Sequence, residues 1–184
     1  MRTDLIQKGR LKLEFGRRFE GSVLKPIRIM IRPAYREEWD DAMVLAWRTF
    51  MQFEAKDCTP RGIESFLEFI TDEVLHRMFV MGAYQLFCAY DNGKMVGMIS
   101  LRGETHISLL FVDERYHRMG IGRRLIDYVS NYVLTEEGHH HVTVNAASGA
   151  TGFYHCVGFV DTDKEQINDG IRFTPMKRKI EKIN

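Results

Sequence analysis

The chain has 184 residues, which is enough for one domain with a full hydrophobic core and too few for two domains of ordinary size. A net charge of +1 excludes the basic excess of a chain that binds nucleic acid or a membrane through bulk charge. No apolar stretch approaches membrane-spanning length, and the N-terminus lacks the apolar region of a signal peptide. Three separated cysteines, Cys58, Cys88 and Cys156, show no C-x-x-C spacing and predict free thiols in the cytoplasm.

Residues 1–26 show no sustained hydrophobic periodicity, and they contain more Lys and Arg than Asp and Glu. We expect a flexible N-terminal extension over residues 1–26, followed by a single domain over residues 27–184. A second methionine, Met30, stands where the first strand begins, and a chain that starts there is expected to fold. A basic arm that binds RNA or phosphate is the alternative interpretation.

The domain begins with a strand and two helical segments. Alternating isoleucines predict a strand over Ile27–Arg32, and apolar residues at helical spacing predict an amphipathic helix over Glu37–Phe53. Thr59-Pro60 is a helix start, with Thr59 as the N-cap and Pro60 in the first position. The helical pattern then continues to about Val80, with a possible break near Thr71.

Three consecutive strands follow. Asn92-Gly93 between two apolar runs, Tyr84–Tyr90 and Met95–Leu101, predicts a hairpin. Gly97 inside the second run indicates a bulge or close packing. The next run, Ile107–Val112, is apolar except for one serine, which is typical of a strand with both faces covered.

Gly120-Ile121-Gly122 opens a helix that continues to about Leu134. The first N–H groups of a helix have no partner inside the helix, and the helix dipole favours negative charge there. Glycines allow a ligand to approach this backbone closely, and arginines add positive charge around it: Arg118, Arg123 and Arg124. The pattern predicts an anion site of the kind that binds a pyrophosphate.

The remaining elements are a strand over His139–Ala146, a short helix over Gly149–Cys156, a strand over about Phe159–Gln166, and a last strand over Ile171–Lys179. Asn168-Asp169-Gly170 predicts a hairpin turn before that last strand. The order is β-α-α-β-β-β-α-β-α-β-β. It predicts an α/β fold with a mostly antiparallel sheet and one β-α-β crossover around the glycines.

Two sequence patterns stand in a fixed order: V-x4-H-x2-G-x-G over Val112–Gly122, and a segment with F-Y-x-x-x-G-F over Asn145–Phe159. They resemble motifs A and B of the GNAT superfamily of acyl-CoA-dependent N-acetyltransferases, although that family usually has Gln or Arg in place of His117. The resemblance covers roughly residues 27–180. It implies a GNAT-like mixed, mostly antiparallel central sheet of about 6–7 strands flanked by about 4 helices.

The resemblance also implies roles for individual residues. Tyr154 would protonate the departing thiolate of coenzyme A, a step that suits a phenol; a core aromatic is the alternative role. Main-chain groups of Leu110, Phe111 and Val112 would pair with the pantetheine amides. The residues that would surround the pyrophosphate are His117, Arg118, Met119, Gly120, Ile121, Gly122 and Arg123. Asn145 stands where the parallel strands should splay, and either binds the pantetheine arm or forms a turn.

No general base is evident from the sequence. His106 is the first candidate because it lies on the strand that enters the site, followed by Glu104, Asp113 and His155; transfer through water is an equal alternative. The resemblance places the acceptor pocket around the first two helices, where the residues are Phe50, Phe53, Glu54, Asp57 and Cys58. Acidic residues among aromatics suit a cationic amine, or are simply solvated.

We therefore predict an enzyme that moves an acetyl group from acetyl-CoA to a primary amine, of a small molecule or a protein, by direct attack in a ternary complex. A catalytically idle acyl-CoA-binding module is the alternative. Direct attack needs no enzyme nucleophile, so Cys156 is interpreted as packing. No metal is expected at His139-His140-His141, since only two of these side chains share a strand face. The partners are acetyl-CoA and the amine, without nucleic acid or membrane, and a homodimer remains open.

Overall fold

A computed structural model describes residues 17–20, 23–26 and 28–181. After two strands that form a separate pair, β1 (Arg17–Glu20) and β2 (Val23–Pro26), these residues contain eight strands of one sheet: β3 (Ile29–Pro33), β4 (Tyr84–Asp91), β5 (Lys94–Arg102), β6 (His106–Val112), β7 (His141–Ala147), β8 (Val160–Asp161), β9 (Gln166–Asn168) and β10 (Ile171–Lys179). The strand order in this sheet is β3-β4-β5-β6-β7-β10-β8, and β9 pairs with β10. All pairs are antiparallel except β6 with β7, which confirms the predicted mixed sheet with one crossover.

Five α-helices flank the sheet in the described part of the chain, against about four predicted. They are α1 (Trp39–Phe53), α2 (Pro60–Ile70), α3 (Glu73–Val80), α4 (Ile121–Thr135) and α5 (Thr151–Cys156). The extra helix arises at the predicted break near Thr71, because the Asp72 carboxylate accepts N–H donors from Val74 at 2.6 Å and Leu75 at 3.2 Å. Asp72 is thus the N-cap of a new helix.

The predicted hairpin of β4 and β5 is confirmed, with positive φ at Asn92 and Gly93. Both interpretations of Gly97 hold. The strand register shifts beside its partner Ala89, and a Cβ atom on Gly97 would lie 3.2 Å from Cδ1 of Leu125 and 3.3 Å from the carbonyl oxygen of Phe111. Glycine therefore lets α4 pack directly on the sheet.

A bulge divides β6 between two hydrophobic cores. The register with β5 shifts at Ser108, since Leu101 pairs with Ile107 and Ser100 with Leu109. Before the bulge, Ile107 packs in the core under α4 and α5; after it, Leu109 and Phe111 pack in the core under α1, α2 and α3. The strand is covered on both faces, as predicted.

The prediction of one strand over Phe159–Gln166 is wrong. The segment contributes to two short strands, which explains why the sheet has eight strands. Two short strands, β8 and β9, instead pair with separate parts of β10. Between them lies Pro175 of β10, which has no N–H to donate to a continuous ladder. Its carbonyl accepts hydrogen bonds from both the N–H (2.8 Å) and the hydroxyl (3.1 Å) of Thr162.

Residues 1–26 contain two described strands, β1 (Arg17–Glu20) and β2 (Val23–Pro26), which pair with each other as a separate antiparallel sheet. The rest of this range lies outside the described residues. The flexible extension and the domain boundary at residue 27 therefore stay predictions.

Candidate active site

The central feature of the site is the separation of β6 from β7. Their parallel pairing is confined to His106 with Thr143 and Ile107 with Val144. Beyond these residues β7 keeps its pairing with β10, and the edge of Leu110–Val112 is left facing an opening. A cavity of about 680 Å³ fills this opening, with β6 on one side and residues 147–150 on the other. The strands splay as predicted from the sequence.

The N-terminus of α4 forms one end of the cavity. The helix begins at Ile121, directly after Gly120, which has φ +76° and lines the cavity together with Gly122. A Cβ atom on Gly122 would lie 3.0 Å from Cζ of Phe153, so glycine allows this ring to pack against the helix start. The free N–H groups and the dipole of a 15-residue helix favour an anion at this position.

The cationic side chains of the loop differ in where they lie. Arg118, with φ +63°, and Arg123 line the cavity, and Arg123 also donates to the carbonyl of Cys156 at 2.8 Å. Arg124 is directed elsewhere and donates to the carbonyl of Ile29 at 2.7 Å. His117 lies with Nε2 2.7 Å from the carbonyl oxygen of Val112 and its ring 4.9 Å from that of Phe53.

Tyr154 lies in α5 and lines the same cavity, although its side chain is only 6% exposed. Its ring makes edge contacts with Phe153 and Phe159 at centroid distances of 5.3 and 5.2 Å. Burial, with a further contribution from the charge of Glu54, raises the pKa of the phenol well above its usual value. Tyr154 therefore keeps its proton at neutral pH and is a hydrogen-bond donor facing the cavity.

Glu54 follows the last residue of α1 and lines the cavity as a half-buried side chain. Burial raises the pKa of its carboxyl group to about 7. A carboxyl group that titrates near neutral pH, beside a phenol whose pKa it influences, is a candidate proton acceptor. The sequence placed Glu54 in the acceptor region but did not identify it as a base, because the burial that changes its pKa arises only in the fold.

Most of the predicted site residues meet in this cavity. Those that line it are Leu110, Phe111, Val112, His117, Arg118, Gly120, Ile121, Gly122, Arg123 and Tyr154. Three do not. Met119 packs against the core under α4, Asn145 is exposed on β7 opposite Pro175, and His106 lies at the far end of β6. Their assigned roles stay predictions.

The structure does not bring the four candidate bases to the cavity. His106 is four residues, or about 13 Å of strand, from Leu110, and its Nδ1 lies 2.9 Å from the Thr143 hydroxyl oxygen. Burial and nearby Arg102 lower its pKa. The other three are engaged at the surface or in ion pairs: Glu104 with His139 (2.7 Å), His155 with Asp161 (2.7 Å), and Asp113 with Arg115 and Arg48 (both 2.8 Å).

Within the described residues, no group of three or more His, Cys, Asp or Glu side chains is arranged to hold a metal ion. The rings of His139 and His141 are 6.2 Å apart, and His139 contacts Glu104. Among the helices of the described ranges, none is both long and apolar enough to cross a membrane.

The comparison with known proteins identifies the class. A model of the acetyltransferase (GNAT) domain family matches residues 54–180, which include the glycine loop, the splayed strands and Tyr154. The chain therefore belongs to the GNAT family and is an acyltransferase. A search of curated proteins gave no match.

Solved structures show the same fold. One is a GCN5-related N-acetyltransferase from Rhodopseudomonas palustris, with 24% identity, a TM-score of 0.71 and coverage of 88% of this chain and 100% of the other. Another is the PaiA N-acetyltransferase of Thermoplasma acidophilum in complex with coenzyme A, with 18% identity, a TM-score of 0.70 and coverage of 83% and 99%. A third is a spermidine N-acetyltransferase SpeG chimera from Vibrio cholerae and hSSAT, with 17% identity, a TM-score of 0.59 and coverage of 82% and 95%.

Proposed function

We propose that the protein transfers the acetyl group of acetyl-CoA to a primary amine by direct attack within a ternary complex. One observation carries the proposal: a single cavity combines the glycine-opened N-terminus of α4, the open edge of β6, and the Tyr154 phenol beside the Glu54 carboxyl group. Anion binding, main-chain recognition and proton transfer are the three functions that an acetyl-CoA-dependent amine acetyltransferase requires.

The residues present fit acetyl-CoA. Nothing lies within 4 Å of the position of a Cβ at Gly120, so the first N–H groups of α4 are accessible to a pyrophosphate there, and Arg118 and Arg123 supply positive charge. The edge of Leu110–Val112 that faces away from β5 is available to amides of an extended arm. The carbonyl oxygen of Val112 already lies 2.7 Å from Nε2 of His117, so an amide of the extended arm would share this oxygen with the His117 ring.

The chemistry needs two proton positions. The nitrogen of the neutral amine attacks the thioester carbonyl, a C–N bond forms, and the C–S bond breaks. Glu54 takes the proton that the nitrogen loses, and Tyr154 gives a proton to the departing sulfur. The proton held by Glu54 then passes to the Tyr154 phenolate, which restores both groups. The two steps help each other, because protonation of Glu54 removes the negative charge that raises the pKa of Tyr154.

Two measurements test this function. Titration calorimetry should show acetyl-CoA binding that a folded Gly120→Glu variant loses, because the new side chain adds negative charge at the anion site. Thiol release in a screen of polyamines, amino acids, aminoglycosides and peptides should then identify an acceptor. Binding without thiol release for every amine would favour the acyl-CoA-binding module, and no binding at all would contradict both functions.

A further inference from the structure

We propose that the acceptor amine carries a carboxylate, as an amino acid does, and that Arg172 binds this carboxylate. The inference rests on the proposed function and concerns the part of the cavity that is lined by β10 and by the loop after α1. Arg172 lies in β10, next to the turn at Gly170, and lines the cavity.

The fold brings Arg172 to the same end of the cavity as the loop after α1. The carbonyl oxygen of Gly170 accepts a hydrogen bond from the N–H of Thr59 at 3.2 Å. Arg172 is two residues beyond this contact, and Asp57 is two residues before it. The hydrogen bond between Thr59 and Gly170 therefore holds together the segments that carry Asp57 and Arg172. Both line the cavity, together with Lys56 and Glu54.

The charged side chains that line this part of the cavity are of both signs. Two acids, Glu54 and Asp57, and two bases, Lys56 and Arg172, contribute to the lining, and Arg172 also pairs with Glu165. An acceptor with both an amine and a carboxylate would offer a partner to each sign, whereas a polyamine would offer no partner to the bases.

Arg172 has the chemistry for this role. A guanidinium carries five N–H donors in a planar arrangement that matches a carboxylate. Its ion pair with Glu165 has an N–O distance of 3.5 Å, longer than the roughly 2.7–2.9 Å of a charge-assisted hydrogen bond. Glu165 also accepts a hydrogen bond from Ser148 at 2.5 Å, so a second partner engages this carboxylate. A ligand carboxylate would make shorter contacts with Arg172 than Glu165 does.

The experiment compares acceptors that differ only by the carboxylate: L-ornithine with putrescine, L-lysine with cadaverine, and L-phenylalanine with phenethylamine, each by acetyl-CoA-dependent thiol release. The protein should prefer the carboxylate-bearing member of at least one pair. Arg172→Gln should lower kcat/KM for that acceptor about 10- to 100-fold, which is the loss expected for a hydrogen-bonded charge pair, and leave the KM for acetyl-CoA unchanged. Arg172→Glu should shift the preference toward the decarboxylated member.

Arg61→Gln is the matched control. Arg61 is as exposed as Arg172 (56% against 54% of the side chain) and pairs with Glu64 and Glu68 on α2, but it is not among the residues that line the cavity. Its substitution should leave the preference intact. Equal or better rates with the decarboxylated amines, or an unchanged preference in Arg172→Gln, would overturn the inference while the proposed function stands. If acetyl-CoA binds and no amine of either kind releases thiol, the proposed function fails and the inference fails with it.

Discussion

In the proposed reaction Glu54 accepts a proton and Tyr154 donates one, and the surroundings of each residue determine its pKa. Burial raises the pKa of Glu54 to about 7, so a large fraction of this side chain is ionised near neutral pH and able to accept a proton. Burial and the charge of Glu54 raise the pKa of Tyr154 well above that value, so the phenol remains a donor. Both pKa values rise, and the result is a carboxyl group that titrates near neutral pH beside a phenol that stays protonated, as expected for a base and an acid.

Tyr154→Phe keeps the aromatic ring and removes the proton. If the phenol protonates the departing thiolate, kcat should fall about 10²–10⁴-fold, with little change in the KM for acetyl-CoA. Tyr128→Phe is the control, because Tyr128 lies against Phe87 at a centroid distance of 5.4 Å, on the face of α4 that packs on the sheet. A Tyr154→Phe enzyme that runs at the wild-type rate would show that this ring only packs.

Glu54→Gln should lower kcat by a similar factor of about 10²–10⁴, because an amide does not accept the proton. The wild-type kcat/KM should rise with pH and bend near pH 7 as Glu54 ionises, in addition to the titration of the acceptor amine. The Glu54→Gln variant should lack the bend near pH 7 and keep the part of the pH dependence that comes from the acceptor amine. An unchanged profile in Glu54→Gln would transfer the role of base to another group or to water.

The same variant should be more stable than the wild type above pH 7. The pKa of Glu54 is about 7 in the folded chain and about 4.5 when unfolded, so the folded state binds the proton more tightly. The stabilisation that comes from this tighter proton binding by Glu54 is fully present below pH 4.5 and is lost as the pH rises through 7. Gln carries no charge at any pH, so Glu54→Gln should gain about 1–3 kcal/mol at pH 8 and little at pH 4.5. Thermal melts of the wild type and of Glu54→Gln at pH 4.5 and pH 8 measure this difference, and equal stability of the two chains at pH 8 would contradict it.

At the scale of elements, the hairpin of β9 and β10 is attached to the start of α2 through two glycines. A Cβ atom on Gly62 would lie 2.5 Å from the carbonyl oxygen of Gly170, and Gly170 itself has φ +81°. The Thr59 hydroxyl caps α2 by accepting from the N–H of Gly62 at 3.2 Å. This contact joins the loop that carries Glu54 and Asp57 to the strand that carries Arg172.

Gly62→Ala should therefore displace the hairpin, since the new methyl group meets backbone atoms that must shift. We expect a loss of about 1–3 kcal/mol in the free energy of unfolding and a higher KM for the acceptor, with the affinity for acetyl-CoA retained. Gly152→Ala is the control, because no atom lies within 4 Å of a Cβ at that helical position and alanine favours a helix. An unchanged acceptor KM in a folded Gly62→Ala variant would separate the hairpin from acceptor binding.

Elements whose signals are local could be predicted from the sequence. Asn92-Gly93 specifies its own turn, Thr59-Pro60 specifies a helix start, and Gly120-Ile121-Gly122 specifies an open helix terminus, each through the backbone preferences of a few residues. The bulge at Ser108 could not be predicted, because it arises from fitting β6 against β5 and against two cores. The division of β8 from β9 depends likewise on a distant residue, Pro175.

For the site, too, only residues with a local sequence signal could be placed at the cavity from the sequence. The glycines and Tyr154 lie within continuous motifs, and the structure brings them to one cavity. His106 was the first candidate base because it lies on β6, but a strand extends about 3.3 Å per residue, and four residues separate it from the cavity. Glu54 has no local signal of its role, since the burial that raises its pKa arises only when the chain folds.

At the scale of the whole molecule, β3 connects the edge of the sheet to the helix that opens the anion site. Ile29 pairs with Asp91 of β4, and its carbonyl oxygen accepts a hydrogen bond from Arg124 at 2.7 Å. Arg124 is only three residues after the helix start at Ile121. The first residue of β3 therefore supports α4 through Arg124, which does not line the cavity, and the place where a shortened chain begins should matter.

Two truncated chains test this role of Ile29 and the predicted domain boundary together. A chain that starts at Arg28 keeps the complete β3, so it should unfold at the same temperature as the full chain and bind acetyl-CoA with the same Kd. A chain that starts at Met30 lacks Ile29 and the acceptor for Arg124, and should lose about 1–2 kcal/mol of stability, the usual value of one or two hydrogen bonds and a partly buried side chain. Its affinity for acetyl-CoA should change little, because Gly120, Gly122 and Arg123 are intact. Thermal melts and calorimetry on the three chains measure both effects. A loss of folding in the chain that starts at Arg28 would show that the domain needs residues that precede Arg28.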